Sequence, residues 1–217
     1  MPDPSRSGIS YTVSAGMRQR TNPRTACVLA LTLLWGAATA FGTVVPRLSV
    51  DDLVQGSEFI VQARVVRTWA AWDQSHKYIW THKELAIQDS MKGAATRTIV
   101  VSEPGGSLQG LTQYIAGTPR FLPDEDVVVF LYRTPLGLLR TSGFAQGKFA
   151  IRRLAGDSQN RVYTNLEGLS LAELPGKTRR PADASSSTVR QFDGLSLVEF
   201  KARIRELMQS QNGKEAR

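Results

Sequence analysis

Several short segments of the chain carry apolar residues at every second position, and this alternation restricts the fold more than any other feature. The first such segment has one apolar face, formed by Phe59, Val61, Ala63 and Val65. Its other face is polar and carries Gln62, Arg64 and Thr68. A period of two residues is that of a β-strand with one buried face. The segment therefore predicts a half-buried strand.

Further strands are predicted after this one. They lie in the segments 78–93, 96–103, 126–133, 138–143, 147–153 and 161–165. The continuous apolar run "DVVVFLYR" is typical of a central strand. Short strands that are separated by turns, with no helical pattern between them, indicate an antiparallel barrel or sandwich. We predict a mainly β domain over residues 46–174 and interpret it as an antiparallel OB-like barrel.

A short helix is predicted at the start of this domain, and a linker at its end. Ser49 is a typical N-cap, and the acidic residues Asp51 and Asp52 stabilise a first helical turn. Residues 175–195 are polar and rich in Ser and Pro. That composition predicts a flexible linker after the β domain.

An amphipathic helix is predicted over residues 196–211. Ser196 and Glu199 have the spacing of a capping box. The apolar stripe that follows consists of Leu197, Phe200, Ile204, Leu207 and Met208. The stripe is of ordinary width and the polar face mixes both signs of charge. We therefore expect the helix to pack on its own domain rather than on a partner or a membrane.

The first forty residues have the order of a secretory signal peptide. A basic stretch over residues 17–24 precedes an apolar stretch over residues 26–40. The small residues of the cleavage site are Ala38, Thr39 and Ala40. We predict residues 1–40 to be a signal peptide cleaved after Ala40, with Met17 as an alternative start to Met1. The mature protein would then be periplasmic or secreted.

An uncleaved anchor is the alternative for this segment. Residues 26–45 approach the length that spans a bilayer, which takes about 20 apolar residues. Gly36, Gly42 and several alanines dilute the segment, so we favour cleavage. The membrane is a partner only if the segment stays uncleaved.

Cleavage changes both the charge and the thiol content of the chain. Residues 1–40 carry four Arg and one Asp, so their removal lowers the net charge from +8 to +5. No nucleic-acid-binding motif accompanies the remaining charge, and we predict no nucleic-acid partner. Cys27 is the only cysteine. The mature chain therefore has no disulfide, and its stability depends on packing.

Two glycines, Gly105 and Gly106, follow a β-branched segment, as the glycines of phosphate-binding loops also do. A Walker loop would continue with Lys and Ser or Thr, whereas Ser107 and Leu108 follow here. The spacing of a dinucleotide-binding loop is also absent. We interpret the glycines as residues that permit a sharp turn or a close approach of backbone. The sequence predicts no cofactor.

Residues for catalysis or metal binding are scarce. His76 and His82 are the only histidines, and no acidic cluster nearby completes a zinc site. No serine lies in a G-x-S-x-G elbow. The three acidic residues 124–126 precede a strand and are interpreted as a solvated turn. We assign no catalytic residue and no metal ligand, and we expect the histidines to be structural or at the surface.

Four sequence elements together resemble a family of small exported bacterial proteins of unknown function. In chain order, the elements are "PGG", "GTPRF", "DEDVVVFL" and "AQGKF". The resemblance covers residues 48–163. It implies a single small domain that follows a signal peptide, and it brings no catalytic residue.

A more distant resemblance is to the netrin-like, OB-type barrel of the tissue inhibitors of metalloproteinases. It rests on two successive strands, the second ending in "MKG", and on a later strand that contains "VVVFL". The resemblance implies a netrin-like barrel. Those inhibitors place an N-terminal cysteine on the protease zinc, whereas the predicted mature chain begins near Phe41 and has no cysteine. The mechanism of inhibition is therefore not implied.

These observations predict a non-enzymatic binding module for a protein or glycan of the envelope or the medium. The long loop over residues 104–121 is the expected contact region, because binding residues concentrate on loops held by a rigid scaffold. The candidate binding residues are Gly105, Gly106, Tyr114, Arg120 and Phe121. The alternative is an envelope hydrolase assembled from dispersed residues. A pocket that joins His76 or His82 to a carboxylate and a hydroxyl would favour that alternative.

Overall fold

The computed structural model describes residues 44–93, 96–172 and 188–215. Eleven strands, two α-helices and two short 3₁₀ helices form this part of the chain. In chain order they are β1 (Val44–Pro46), α1 (Val50–Gly56), β2 (Phe59–Trp72), β3 (Ile79–Lys92), β4 (Thr98–Pro104), β5 (Gly106–Leu108), β6 (Leu111–Gln113), β7 (Asp126–Arg133), β8 (Leu139–Thr141), the 3₁₀ helix Phe144–Gly147, β9 (Lys148–Arg152), β10 (Arg161–Thr164), β11 (Ser170–Ala172), the 3₁₀ helix Val189–Phe192 and α2 (Leu197–Glu215).

The prediction of a mainly β domain is confirmed. The predicted strands correspond to β2, β3, β4, β7, β8, β9 and β10, and β7 has the predicted bounds. The two longest strands, β2 and β3, have 14 residues each and form an antiparallel pair. Alternation predicted these strands because most of their buried residues lie on one face, although at the start of β2 the successive residues Ile60 and Val61 are both fully buried.

One large sheet contains seven strands in the order β10-β9-β7-β2-β3-β4-β8. Strand β8 pairs with β4 in parallel, through Val101 and Leu139, and with β7 in an antiparallel register. The predicted purely antiparallel sheet is therefore wrong, because the sheet is mixed. Turn signals predict which strands follow one another, but they do not predict that β8 reaches a strand far away in the chain.

The short helix α1 begins as the sequence predicts. The Ser49 hydroxyl accepts a hydrogen bond from the Asp52 backbone N–H, at 3.1 Å. In return, the Asp52 carboxylate accepts one from the Ser49 backbone N–H, at 3.0 Å. This reciprocal pair satisfies two N–H groups that the first turn would otherwise leave unpaired.

Four phenylalanines join the sheet to the C-terminal segment. The ring of Phe200 on α2 lies 4.9 Å from that of Phe149, 5.6 Å from that of Phe192 and 6.5 Å from that of Phe130. Phe200 is fully buried, and the whole predicted apolar stripe of α2 belongs to this core or packs against it. The prediction that the helix packs on its own domain is therefore confirmed.

Residues outside the described ranges include the predicted signal peptide, the alternative anchor up to residue 43, Cys27, and residues 173–187 of the predicted linker. The end of the predicted linker is folded, because the 3₁₀ helix there buries Val189 and Phe192 in the core. Among the described residues, no helix combines the length and apolar character needed to cross a bilayer.

Replacing the Phe200 ring tests the joining of α2 to the sheet. Phe200→Ala leaves a cavity among three other rings, and we expect it to lower the free energy of unfolding by about 3–5 kcal/mol. Val198→Ala is the matched control on the same helix, because Val198 is 75% exposed. Urea denaturation measures both variants. Equal stabilities of the two variants would contradict this packing.

Candidate functional site

The predicted contact loop, residues 104–121, contains the small hairpin β5–β6. The Gly105 backbone N–H donates to the carbonyl of Ile79 at 2.8 Å, and the hydroxyl of Thr81 donates to the carbonyl of Gly105 at 2.6 Å. Both glycines have positive φ angles, +93° and +139°, and a Cβ on Gly106 would overlap the Thr81 hydroxyl. Close approach of a neighbouring backbone is confirmed for Gly105, where a Cβ would lie 2.9 Å from the Gln113 carbonyl oxygen, whereas the close neighbour of Gly106 is a side chain.

The other three predicted contact residues differ in exposure. Tyr114 and Arg120 are exposed. Phe121 is half-buried against a second core cluster, which includes Val61 and Leu131. Other large apolar side chains near Tyr114 face solvent, and the sequence reasoning did not single them out: Leu111, Ile115 and Leu122.

Hydrogen bonds anchor the hairpin to the end of β2 and to the turn between β2 and β3. The side-chain amide of Gln113 donates to the carbonyl of Lys77 at 2.8 Å and accepts from the backbone N–H of Ile79 at 2.7 Å. The indole N–H of Trp72 donates to Gln109 Oε1 at 3.4 Å. The exposed Leu111 therefore lies between two anchored residues, and the exposed Tyr114 directly follows the second of them.

A group of charged side chains lies inside the sheet structure beneath Phe121. Lys83 is 5% exposed and Lys148 is 9% exposed. Their Nζ atoms each lie 5.3 Å from the centroid of the Phe121 ring, a distance that permits a cation–π interaction. Lys148 Nζ donates to both carboxylate oxygens of Glu125 at 2.8 Å. Phe121 therefore covers two buried ammonium groups.

Lys83 is the less well paired of the two lysines. Its hydrogen bond is a long one, 3.4 Å, to the carbonyl of Thr81. Burial lowers the pKa of Lys83 to about 8, because an ammonium loses its hydration inside the protein, while the charge of Glu103 acts in the opposite direction. Burial also lowers the pKa of Lys148, against the opposing effect of Glu125.

Glu103 is the buried acidic residue on β4 and is fully shielded from solvent. Its Oε1 accepts the backbone N–H of Thr141 at 2.7 Å, and its Oε2 lies 3.5 Å from a guanidinium nitrogen of Arg140. Burial raises the pKa of Glu103, and the Thr141 hydrogen bonds and the charges of Arg140 and Lys83 oppose that rise. The Glu103 carboxyl thus interacts electrostatically with Lys83 in the interior and with Arg140 on β8.

A pocket of about 210 Å³ lies beside Arg140. Arg140, Thr141 and Tyr132 are among the residues that line it, and its apolar residues include Val45, Leu48 and Phe144. None of the five predicted contact residues is part of this lining. The pocket could not be predicted from sequence, because its residues come from three separated segments of the chain.

The two histidines lie apart from this pocket. His76 is exposed in the turn between β2 and β3. The His82 ring stacks on Trp69, with centroids 5.3 Å apart, and its Nδ1 lies 2.8 Å from the hydroxyl of Ser102. Burial and the charge of Lys83 lower the pKa of His82. Within the described residues, no carboxylate hydrogen-bonds to the His82 ring.

A signal for the buried charges was present in the sequence. In "YIWTHKELAIQ", Lys83 occupies the same face as Thr81, Leu85 and Ile87, which the alternation assigns to the interior. A charged residue at an inward position is a functional-site candidate, because burial is costly unless the charge has a use or a partner. In the parts of the chain that the structure describes, His, Cys, Asp and Glu do not group in threes that could hold a metal ion.

Comparison with known proteins finds no family model that matches the chain and no curated protein that matches it in sequence. The function is therefore inferred from the geometry of the surfaces described above.

The lowered pKa of Lys83 predicts a specific dependence of stability on pH. Its folded-state pKa is about 8 and its ordinary value is 10.5, so between these values the unfolded chain binds more protons than the folded one. Stability attributable to Lys83 therefore increases as the pH rises through this window. We expect the wild type to gain about 2–3 kcal/mol over Lys83→Met between about pH 8 and pH 10.

Urea denaturation at successive pH values measures this difference. Lys77→Met is the matched control, because Lys77 is exposed. Its curve should run parallel to that of the wild type. A Lys83→Met curve that also ran parallel to the wild type would show that Lys83 is not titrating in this range.

Proposed function

We propose that the chain is an exported, non-enzymatic binding module whose partner is another protein of the envelope or the medium. The partner docks on the hairpin β5–β6 and on the loop that follows. One observation carries the proposal, namely the exposure of large apolar side chains along this segment. They are Leu111 (58% exposed), Tyr114 (78%), Ile115 (37%) and Leu122 (52%).

Several exposed apolar side chains within twelve successive residues, 111–122, support a protein partner. Apolar side chains gathered on one surface segment are typical of protein-binding sites, whereas single ones are not. Tyrosine and arginine are enriched among the residues that dominate binding energy, and Tyr114 and Arg120 are both exposed here. The anchoring of the hairpin through Gln113 limits the conformational entropy lost on binding.

The strand pairing supports an OB-like barrel as the scaffold of this module. Strand β8 pairs with β4 on one side and with β7 on the other, and β7 pairs with β2. The five strands β2, β3, β4, β8 and β7 can therefore be followed as a ring. OB folds are five-stranded, partly open barrels that bind ligands with one face and the rimming loops. A netrin-like relationship would agree with this arrangement.

Export of the module rests on the sequence of residues 1–40. A basic segment, an apolar segment and small residues at 38–40 support a cleaved signal peptide. The mature chain would then begin near Phe41 and be periplasmic or secreted. An envelope or extracellular partner follows from this location.

Capture of a partner tests the proposed surface. The full chain is immobilised and exposed to the exported fraction of its native host. We expect Tyr114→Ala and Leu111→Ala each to reduce capture of the recovered protein by about tenfold, because truncation removes buried contact area at the interface. Titration of the recovered protein against each variant measures the loss.

Leu136→Ala is the control, because Leu136 is 84% exposed but lies in the turn between β7 and β8. It should bind like the wild type. Equal capture by all variants would contradict the proposal. Capture that survives protease treatment of the fraction would replace the protein partner by a glycan.

A hydrolase is the second candidate, and the hydrogen bond between His82 and Ser102 is the observation that favours it. A histidine within 2.8 Å of a serine hydroxyl is the arrangement of a base and its nucleophile. The lowered pKa of His82 favours the neutral imidazole that a base requires. Two features oppose this candidate: Ser102 is only 2% exposed, and in the described chain no carboxylate orients the ring by a hydrogen bond.

A serine-reactive fluorophosphonate distinguishes the two candidates. We expect no labelling of Ser102, because the reagent cannot reach a buried hydroxyl, and intact-mass measurement checks this. His82→Gln serves as the matched variant. Labelling of Ser102 that disappears in His82→Gln would favour the hydrolase over the binding module.

A further inference from the structure

The Phe121 ring closes the interior of the sheet structure over Lys83. Its centroid lies 5.3 Å from Lys83 Nζ, and the ring packs against the core cluster that includes Val61 and Leu131. Lys83 is 5% exposed. Within the described residues, its ammonium makes one hydrogen bond, a long one of 3.4 Å to the carbonyl of Thr81. Because an ammonium has three donors, burial under the ring removes hydration that the protein replaces only in part.

The segment that carries Phe121, residues 119–123, is held weakly by its own backbone. The prolines at its two ends have no N–H group to donate. The N–H groups of Arg120 and Phe121 donate no hydrogen bond to the rest of the described chain. The N–H of Leu122 donates to the side chain of Glu125, at 3.0 Å. A shortage of backbone hydrogen bonds is typical of segments that open locally.

Firmer contacts lie on either side of this segment. Before it, the carbonyl of Gly117 accepts the N–H of Ala145 at 3.0 Å. After it, the N–H of Asp124 donates to the carbonyl of Val65 at 3.1 Å. Residues 119–123 belong to none of the strands. They can therefore move away from the interior between two anchors without breaking a strand pair.

We propose that residues 119–123 form a lid over Lys83, which opens more readily when Lys83 is protonated and closes when its amine is neutral. A charged amine regains hydration when the ring moves away, whereas a neutral amine loses little by staying buried. The cation–π interaction with the ring opposes opening, but it returns only part of the hydration that an ammonium loses. The inference goes beyond the proposed function, because it concerns the loop itself and requires no partner.

The other charged groups around Lys83 do not reverse this direction. The carboxylate of Glu103 on β4 favours the ammonium form, but burial outweighs it and lowers the pKa of Lys83 to about 8. Lys148 on β9 lies 5.3 Å from the same ring, and Glu125 compensates its charge through two hydrogen bonds of 2.8 Å. Strands β2 and β7 contribute apolar residues to the adjacent cluster. The remaining charged or titratable neighbours are Arg140 on β8, which pairs with Glu103, and His82, which adjoins Lys83 on β3.

Hydrogen exchange of the Leu122 N–H in the full chain measures opening of the lid. Its protection factor is the ratio of intrinsic to observed exchange rate, and this ratio corrects for the intrinsic effect of pH. The pKa of Lys83 is about 8 in the closed state and takes its ordinary value of 10.5 once hydrated. Opening should therefore become about tenfold rarer between about pH 7 and pH 9. We expect the protection factor to rise by the same factor, as measured by solvent-exchange NMR.

A reference amide and a variant separate the lid from the rest of the domain. The reference is the N–H of Gly137, which donates to the carbonyl of Thr134 in the turn between β7 and β8. Lys83→Met removes the titrating amine but keeps a long side chain under the ring. In this variant the protection of Leu122 should not rise more than that of Gly137. A rise that persists in Lys83→Met, no rise in the wild type, or an equal rise at Gly137 would overturn the inference.

NMR titration of the Lys83 side chain provides a second test, which does not depend on the folding of Lys83→Met. Phe121→Ala uncovers the amine and should raise the pKa of Lys83 from about 8 towards 10.5. Phe121→Leu is the matched control, because it keeps an apolar cover, and it should leave that pKa near 8. An unchanged pKa in Phe121→Ala, or an equal rise in both variants, would overturn the role of Phe121 as the cover of Lys83.

Discussion

The position of β8 between β4 and β7 is the constraint on which the pairing of Glu103 and the pocket beside Arg140 depend. This strand of three residues pairs with β4 through Leu139 and with β7 through three residue pairs. The same placement brings the Thr141 backbone N–H to Glu103 and puts Arg140 between Trp80 and Phe144. The buried carboxylate is therefore satisfied, and the pocket is formed, by one short strand.

The interior of the sheet structure has two different characters. One core cluster contains four phenylalanine rings among aliphatic side chains, and two of these rings, Phe192 and Phe200, come from the C-terminal segment. The second cluster consists of aliphatic residues such as Val61 and Leu131, and Lys83 and Lys148 lie beside it beneath Phe121. The C-terminal segment packs against the first cluster and stabilises the domain there. The second cluster lies beside the charged groups of Lys83 and Lys148, whose burial costs free energy.

Much of the local structure could be predicted, because alternation and capping are local properties. The capping box of Ser196 and Glu199 is present, with the Ser196 hydroxyl 3.2 Å from the Glu199 backbone nitrogen. The strands followed from one-sided burial. The parallel pairing of β8 could not be predicted, since Leu139 and Val101 are far apart in the chain and a strand of three residues carries little periodic signal. The pocket depends on that pairing and was unpredictable for the same reason.

Glu103 connects the interior with the pocket through electrostatics. Its charge acts on Lys83 in the interior and on Arg140 at the pocket. Burial disfavours the ionised form of this carboxyl, whereas its hydrogen bonds from Thr141 and the charge of Arg140 favour it. Loss of the Glu103 charge would, in turn, remove the interaction that favours the ammonium form of Lys83. Glu103 therefore connects the charge state of an interior lysine with the ion pair made by β8.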